Sequence, residues 1–274
     1  MSPVRISFFL LLGWCTWAQP SRLEFKPLKQ PVIQQRLESL SRKVSERRAT
    51  LESLFREAGC DGANLSTQKV PGSKEPNLVC TLPGGDADAP TIVVGGHFDL
   101  AERGDGAVDD WSGAVLLPSL YECLKGAPRK HAYVFIAFAA EEVGLHGSKE
   151  YVKTMSPAER QNVHAMINLE CLGLSTPKVW ATRADKHLLE GYARVARALG
   201  MEPEGSNVDK VGDDDSHPFL NAKIPVLTVH SITSQNLGIL HSRRDRVSAI
   251  DPDEYYAAYR LTAAYLTYLD SWVE

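Results

Sequence analysis

The segment Thr91-Ile92-Val93-Val94-Gly95-Gly96-His97-Phe98-Asp99 contains a continuous apolar run that is followed at once by an imidazole and a carboxylate. A strand that is apolar at every position, rather than at alternate positions, is typical of a strand buried on both faces of a sheet. Such strands occur where helices cover both faces of the sheet. The segment therefore predicts a central strand with polar side chains at its carboxyl end.

The sequence on both sides of this segment alternates between strand and helix patterns. Further strands are predicted at 76–82, 132–139, 163–169 and 225–230. Helical spacing predicts helices within 31–58 and at 112–125, 145–155, 185–199 and 252–272, with loops at 64–76 and 202–216. We therefore expect an α/β fold, a single domain with a mixed, mainly parallel β-sheet covered by helices on both faces.

The chain has 274 residues, of which 43% are hydrophobic, and this length and composition suit one large domain. Its formal net charge is −4. Such a charge provides no general attraction for nucleic acid or for an anionic membrane. We therefore expect no nucleic acid partner and look for function in a local site.

Residues 1–18 predict a secretory signal peptide, with Arg5, an apolar run at 6–14 and small residues before the expected cleavage point. A membrane anchor is disfavoured because the run is shorter than the roughly 20 apolar residues that span a bilayer. Lipidation at Cys15 is a minor alternative, disfavoured by the bulky Trp14. We expect residues 19–274 to be exported to the periplasm or the medium, without stable membrane insertion.

Four cysteines remain after the predicted signal peptide: Cys60, Cys80, Cys123 and Cys171. An even number in an exported chain permits a disulfide. Cys60 and Cys80 are the best pair because they flank a predicted hairpin. Cys123 and Cys171 lie in helix-like and strand-end contexts, where buried free thiols are common. The sequence leaves the pairing open.

Residue types that bind metals follow several of the predicted strands. They are His97 and Asp99, Glu141 and Glu142, Glu170, the loop residues Asp109 and Asp110, and His241 after the last apolar run. Ligands of open α/β sheets bind at the carboxyl ends of the strands, so these side chains are expected to converge. Two imidazoles with several carboxylates suit Zn²⁺, and the surplus of carboxylates indicates two ions that share a bridging ligand.

Two such ions activate water for hydrolysis, and a free carboxylate beside them serves as the general base. Glu141 and Glu142 are adjacent, so one can face the metal while the other takes the proton of the water. Paired glutamates usually lie on a solvated surface. These two follow closely on a long apolar strand, which is an unusual place for a surface pair.

These residues form part of a wider set of motifs in a fixed order. The motifs are Gly96-His97-Phe98-Asp99, Gly106-Ala107-Val108-Asp109-Asp110-Trp111-Ser112-Gly113, Ala140-Glu141-Glu142-Val143-Gly144-Leu145-His146-Gly147-Ser148, Asn168-Leu169-Glu170, Asp215-Ser216-His217-Pro218-Phe219, and His241 with Asp245. From about residue 78 onward the chain resembles the co-catalytic dizinc aminopeptidases, which include secreted bacterial leucine aminopeptidases and the aminopeptidase Y group.

The resemblance implies roles for seven residues. His97 and Glu170 would hold one zinc ion, Glu142 and His241 would hold the other, and Asp109 would bridge the two ions. Glu141 would be the general base, and Asp99 would orient the imidazole of His97. The resemblance also implies a peptide substrate with a free N-terminus, cut at its first peptide bond.

The chain departs from the family pattern at three positions. Glu170 stands where aspartate is more common, and Leu240 replaces a tyrosine that some relatives place before the last histidine ligand. Trp111 stands where a small or polar residue is more common, and it either packs beside the metal loop or narrows the substrate entrance. The other histidines are assigned structural roles, and His217 either lines the site or anchors a helix start. The cluster at 213–215 is interpreted as a solvated loop, with attraction of a substrate's protonated amine as the alternative.

Two alternative functions remain open on the sequence. One is that of glutaminyl cyclase, a transferase on a similar fold that uses a single zinc. The complete set of five metal ligands favours a peptidase instead. The other is that of a carboxypeptidase or a dipeptidase on the same scaffold, since loop side chains choose between amine and carboxylate recognition.

Overall fold

The computed structural model describes residues 25–209 and 212–272, so the predicted signal peptide at 1–18 lies outside the described residues. The strands within these ranges, numbered in chain order, are β1 Leu65–Gln68, β2 Asn77–Leu82, β3 Thr91–His97, β4 Ala132–Phe138, β5 Val163–Glu170, β6 Lys178–Trp180, β7 Glu204–Ser206 and β8 Val226–His230. The predicted strands at 76–82, 91–96, 132–139, 163–169 and 225–230 are thus all present.

The helices of the described ranges are α1 Gln30–Glu38, α2 Val44–Glu57, α3 Ser112–Ala114, α4 Leu116–Leu124, α5 His146–Thr154, α6 Pro157–Asn162, α7 Lys186–Ala198, α8 His217–Asn221 and α9 Pro252–Trp272. They include all those that were predicted, together with two short ones that were not, α6 and α8. None of these helices has both the length and the hydropathy needed to cross a bilayer.

The described strands form one sheet in the order β1-β2-β4-β3-β5-β8-β6-β7. Its centre is parallel, because β3 pairs in parallel with both β4 and β5, and β5 pairs in parallel with β8. Antiparallel pairs occur toward the edges, between β1 and β2, β2 and β4, and β6 and β8. The predicted mixed, mainly parallel sheet is confirmed.

Strand β3 explains why the sheet is covered on both sides. Its residues Ile92 and Val94 belong to the larger core cluster, which also includes side chains of α1, α2, α4, α7 and α9. Val93, between them, points to the other face and packs in the smaller cluster with Val152 of α5 and Phe219 of α8. Successive strand residues face opposite sides of a sheet, so an uninterrupted apolar run is needed here.

The two predicted loops were wrong in part. Strand β1 lies within 64–76 and β7 lies within 202–216, and both are edge strands of the sheet. Neither strand has a buried residue, so neither carries the apolar alternation that marks a half-buried strand. The short strand β6 and the short helices α6 and α8 were also not predicted.

Cys60 and Cys80 form a disulfide that ties the end of the α2 segment to β2. Cys80 lies inside β2 rather than beyond the hairpin. Cys123, in α4, and Cys171, just after β5, are free thiols, and Cys171 is buried.

Candidate metal centre

The central parallel strands bring the predicted site residues to one edge of the sheet. His97 is the last residue of β3, Glu170 is the last residue of β5, and Glu141 follows the end of β4. Because these strands are parallel and adjacent, their carboxyl ends meet. Asp109 reaches the same place from the segment Ala107–Trp111, and His241 reaches it from the loop after β8.

Asp109 lies between two imidazoles. Its Oδ1 is 3.2 Å from Nε2 of His97, and its Oδ2 is 3.0 Å from Nε2 of His241. On the first side, Oε1 of Glu170 is 3.6 Å from His97 Nε2, and on the second side, Oε2 of Glu142 is 3.1 Å from His241 Nε2. The structure therefore brings together two ligand groups that share one carboxylate.

Several sets of ligand atoms are close enough to hold a cation. The atoms of His97, Asp109 and Glu142 all lie within 4.8 Å of one another, as do those of Asp109, Glu170 and Cys171, and those of His97, Asp110 and Glu170. Imidazole nitrogen, carboxylate oxygen and thiol sulfur are all acceptable to Zn²⁺.

The electrostatics of the site also fit a cation. Burial, with added repulsion from Asp215 and Glu170, raises the pKa of Glu141 to about 10. Burial, with repulsion from Asp109, raises the pKa of Glu142 to about 7. The Oε1 atom of Glu142 is buried without a hydrogen-bond partner in the part of the chain that the structure describes. Buried carboxylates are stable as anions when they are paired or coordinate a metal, so divalent cations suit this set.

Asp99 connects the ends of β3 and β4. Its Oδ1 lies 3.3 Å from Nδ1 of His97, on the side of the ring opposite Asp109. Its two carboxylate oxygens also accept hydrogen bonds from the backbone N–H groups of Glu141 and Glu142, at 3.1 and 3.2 Å. Asp99 thus lies beside one imidazole and holds the backbone of both glutamates.

Asp110 is a buried anchor that the sequence analysis named only as a neighbour of Asp109. Its carboxylate accepts backbone N–H bonds from His97 at 3.2 Å, Gly113 at 2.9 Å and Cys171 at 3.0 Å. It therefore ties the loop of Asp109 to the ends of β3 and β5. The Asp109–Asp110 peptide bond is cis.

The interpretation of 213–215 as a solvated loop was wrong for two of its three residues. Asp214 and Asp215 are 2% and 0% exposed. Asp214 accepts hydrogen bonds from Ser216 and from the hydroxyl of Thr228, whereas burial raises the pKa of Asp215 to about 8. Two polar residues beside the site were therefore missed, because a run of aspartates is usually solvated.

The open questions about His217 and Trp111 have clear structural answers. His217 begins α8 and faces Asp213, with 2.7 Å between Nδ1 and Oδ1, so it anchors a helix start. Trp111 is completely buried, and its indole N–H donates to the carbonyl of Leu37 at 3.0 Å. It packs behind the metal loop and does not narrow the entrance.

A cavity of about 620 Å³ opens onto the two ligand groups. One part of its wall is acidic and includes Glu141, Glu142, Glu170 and Asp213. The rest includes apolar side chains, among them Trp180, Val208, Ile232, Leu237 and Leu240. The cavity can therefore receive a ligand that has both a cationic and an apolar part.

Two curated proteins match part of the chain. The chain is 33% identical over 165 residues to leupeptin-inactivating enzyme 1 of Streptomyces exfoliatus. This match covers 59% of the chain and 37% of that protein. It is 29% identical over 168 residues to aminopeptidase YwaD of Bacillus subtilis, covering 59% of this chain and 35% of the relative. The matches span little more than a third of the length of these two curated relatives.

Solved structures share the fold. The LapA aminopeptidase of Legionella pneumophila superposes with a TM-score of 0.71 at 20% identity, covering 94% of this chain and 79% of that chain. A glutaminyl cyclase from an Acidobacteriales bacterium superposes with a TM-score of 0.73 at 17% identity, covering 93% and 99%. At these identities the likeness concerns the fold alone.

The sequence profile of Peptidase family M28 matches residues 77–266, a range that contains the whole sheet except β1 and every ligand of the candidate metal centre. The chain belongs to Peptidase family M28.

Proposed function

We propose that this chain is a zinc-dependent exopeptidase, an aminopeptidase that hydrolyses the first peptide bond of a substrate with a free N-terminus. The observation that carries the proposal is the placement of Asp109, whose two carboxylate oxygens face the two histidines at 3.2 and 3.0 Å. A carboxylate in this position is suited to bridge two ions. Membership of the family and the names of two curated relatives, an aminopeptidase and a leupeptin-inactivating enzyme, support the same activity.

The proposed cofactor is zinc, with two ions per chain. His97 and Glu170 would hold one ion, Glu142 and His241 would hold the other, and Asp109 would contact both. Bound at this place, a pair of zinc ions supplies Lewis acidity that lowers the pKa of water and polarises the carbonyl under attack.

Glu141 is the proposed general base. Its carboxylate lies 3.8 Å from His97 Nε2 and lines the cavity, so it reaches the same space as the ligand groups. This role requires the ionised carboxylate, so positive charge in the site must lower the pKa of Glu141 from its raised value. The carboxylate then takes a proton from the attacking water and returns it to the leaving amine. Asp99 holds the backbone N–H groups of Glu141 and Glu142, which keeps the base and the neighbouring ligand in fixed positions.

Acidic side chains in the cavity suit the cationic N-terminus of a peptide. Of the acidic residues that line the wall, Asp213 and Asp214 are neither proposed zinc ligands nor the proposed base. A protonated α-amine is attracted to such a wall, and the apolar part of the cavity offers space for the first side chain. Leu240 cannot donate a hydrogen bond from its side chain, so the oxyanion relies more on the metal ions than in relatives with a tyrosine there.

We also propose export from the cytoplasm. The disulfide between Cys60 and Cys80 supports this, because structural disulfides form and persist in oxidising compartments. The predicted signal peptide at residues 1–18 would direct the chain there.

The test is hydrolysis of a panel of aminoacyl-p-nitroanilides by residues 19–274, before chelation, after chelation and after zinc is restored. A Glu141→Gln variant is measured in parallel. The proposal predicts cleavage that requires a free α-amine, stops on chelation, and falls by roughly 100-fold or more in the variant, as loss of a general base implies.

Three other results would redirect the assignment. Cyclisation of N-terminal glutaminyl peptides without release of nitroaniline would indicate glutaminyl cyclase. Cleavage of N-blocked peptides at the C-terminus would indicate a carboxypeptidase. Cleavage restricted to dipeptides would indicate a dipeptidase.

A further inference from the structure

Arg47, on helix α2, is a buried arginine whose side chain bonds entirely to backbone. It is 0% exposed and makes five hydrogen bonds, all to backbone carbonyls. Its Nε donates to the carbonyl of Ser41 at 2.6 Å. Its Nη1 donates to the carbonyls of Phe98 at 3.3 Å and Asp99 at 3.1 Å. Its Nη2 donates to the carbonyl of Asp105 and, at 3.1 Å, to that of Gly106. A guanidinium has five N–H donors in a rigid plane, so this one is fully used.

Four of these carbonyls belong to two segments that carry candidate metal ligands. One segment follows β3, and the other is the loop that contains Asp109. Phe98 and Asp99 directly follow His97, whereas Asp105 and Gly106 precede Asp109. A planar guanidinium can bond both segments at once because its two terminal nitrogens point in fixed directions. Arg47 therefore bonds at the same time to the backbone after His97 and to the backbone before Asp109.

Asp245 holds the same loop through two further hydrogen bonds. Its carboxylate accepts the N–H of Val108 at 2.7 Å, and its backbone carbonyl accepts the N–H of Asp105 at 2.8 Å. The aromatic ring of Trp111 closes the arrangement, with its centroid 5.7 Å from the guanidinium carbon of Arg47. Buried polar groups thus hold the backbone immediately before Asp109.

The charge of Arg47 matters as well as its geometry. Burial lowers its pKa to about 10, while Asp245, Asp99, Asp110 and Asp105 act in the opposite direction. The side chain therefore remains a cation at neutral pH. It provides a buried positive charge behind a site in which the side chains facing the cavity are mostly acidic.

We propose that Arg47 is a positioning residue of the metal centre. It lies on helix α2, which precedes the family-matched residues 77–266. Through Arg47 this helix sets the spacing of the two ligand-bearing segments and so controls the affinity for zinc. This inference rests on the proposed function, because it takes zinc to be the cation that the site binds. The contact itself does not depend on the identity of the substrate.

Arg47→Met tests the proposal because methionine fills similar space but donates no hydrogen bond. Arg48→Met is the matched control, since Arg48 is the next residue of the same helix and pairs only with Glu52 and Glu75 among the contacts that the described ranges contain. Zinc affinity is measured by competition with a chelator of known affinity. We expect the Arg47 variant to bind zinc about 10- to 100-fold more weakly, the size seen when groups that orient metal ligands are removed.

Amide hydrogen exchange of the metal-free protein gives a second readout. Arg47→Met should lose protection in peptides that cover residues 97–111, while peptides of β4 and β5 and the whole of Arg48→Met stay as in the wild type. At saturating zinc, kcat should fall while KM stays nearly constant, because the substrate cavity is not lined by Arg47. A general loss of stability would not produce this selective pattern.

Arg47→Lys gives the same test if the methionine variant does not fold, because lysine keeps the charge but cannot reach both segments. The proposal is overturned if the folded variant binds zinc with wild-type affinity and its exchange at 97–111 is unchanged. If the wild-type protein binds no zinc, the proposed function fails, and the exchange profile alone then decides whether Arg47 positions the two segments.

Discussion

The imidazole of His97 and the carboxylate of Asp99 face each other across 3.3 Å, from Nδ1 to Oδ1. The other ring nitrogen of His97 faces Asp109, so the two aspartates stand on opposite sides of the imidazole. This relationship gives the aspartate of Gly96-His97-Phe98-Asp99 a partner within the candidate metal centre.

Asp99→Asn should reduce zinc affinity or kcat/KM by about 10- to 100-fold while the protein stays folded, because an amide orients the imidazole less strongly than a carboxylate. Chelator competition and steady-state kinetics measure the two quantities. Asp86→Asn, in an exposed loop, is the control. Wild-type values for Asp99→Asn would show that the contact with His97 has no part in metal binding.

Asp110→Ala should destabilise the protein by about 3 kcal/mol or more. Three buried N–H groups, those of His97, Gly113 and Cys171, would lose their acceptor, and each unsatisfied group costs about 1 to 3 kcal/mol. Urea unfolding followed by circular dichroism measures the change. A loss below about 1 kcal/mol would mean that these N–H groups find other acceptors.

Removal of the disulfide in a Cys60→Ala/Cys80→Ala variant should lower the free energy of unfolding by about 3 kcal/mol, since the two cysteines are 20 residues apart. Hydrolysis should change little, because the bond joins the α2 end to β2 and does not contact the metal centre. Thermal unfolding with and without reductant checks the first point. Equal stability of the oxidised wild type and the variant would contradict it.

Asp270, on α9, should make the free energy of unfolding depend on pH in the acid range. Burial alone would raise the pKa of Asp270, but hydrogen bonds from His131 and from the backbone of Lys130 outweigh this effect and lower it. A carboxyl group with a lowered folded-state pKa contributes stability that is present above its unfolded pKa, about 3.9, and is lost as the pH falls through the folded value.

Asp270→Asn should therefore be less stable than the wild type at pH 7 by about 1 to 2 kcal/mol, with a smaller difference near pH 3. Chemical unfolding at both pH values measures it. A difference that stays constant with pH would exclude a charged Asp270 as the cause.

The fold was largely predictable, and so was the convergence of polar side chains at one edge of the sheet, for a physical reason. The strands β3, β4 and β5 are buried on both faces, so their sequences are apolar throughout, and polar residues at their ends stand out. The edge strands β1 and β7 have no buried residue, and sequence periodicity therefore gave no signal for them.

Arg47 could not be predicted because its partners are distant in sequence and are backbone carbonyls. In the sequence it lies beside Arg48 in a charged helix, which is the usual pattern of a solvated face. Asp215 was missed for a similar reason, since only the three-dimensional structure shows that it is buried beside Glu141 rather than in a polar loop.

The central claim is that Asp109 joins two metal sites, and counting zinc ions by native mass spectrometry tests it most directly. The wild-type chain, His97→Ala and His241→Ala are each measured at saturating zinc. We predict two zinc ions in the wild type and one in each variant, because each histidine serves a different side of Asp109. One ion in the wild type, or equal zinc content in all three proteins, would contradict the account.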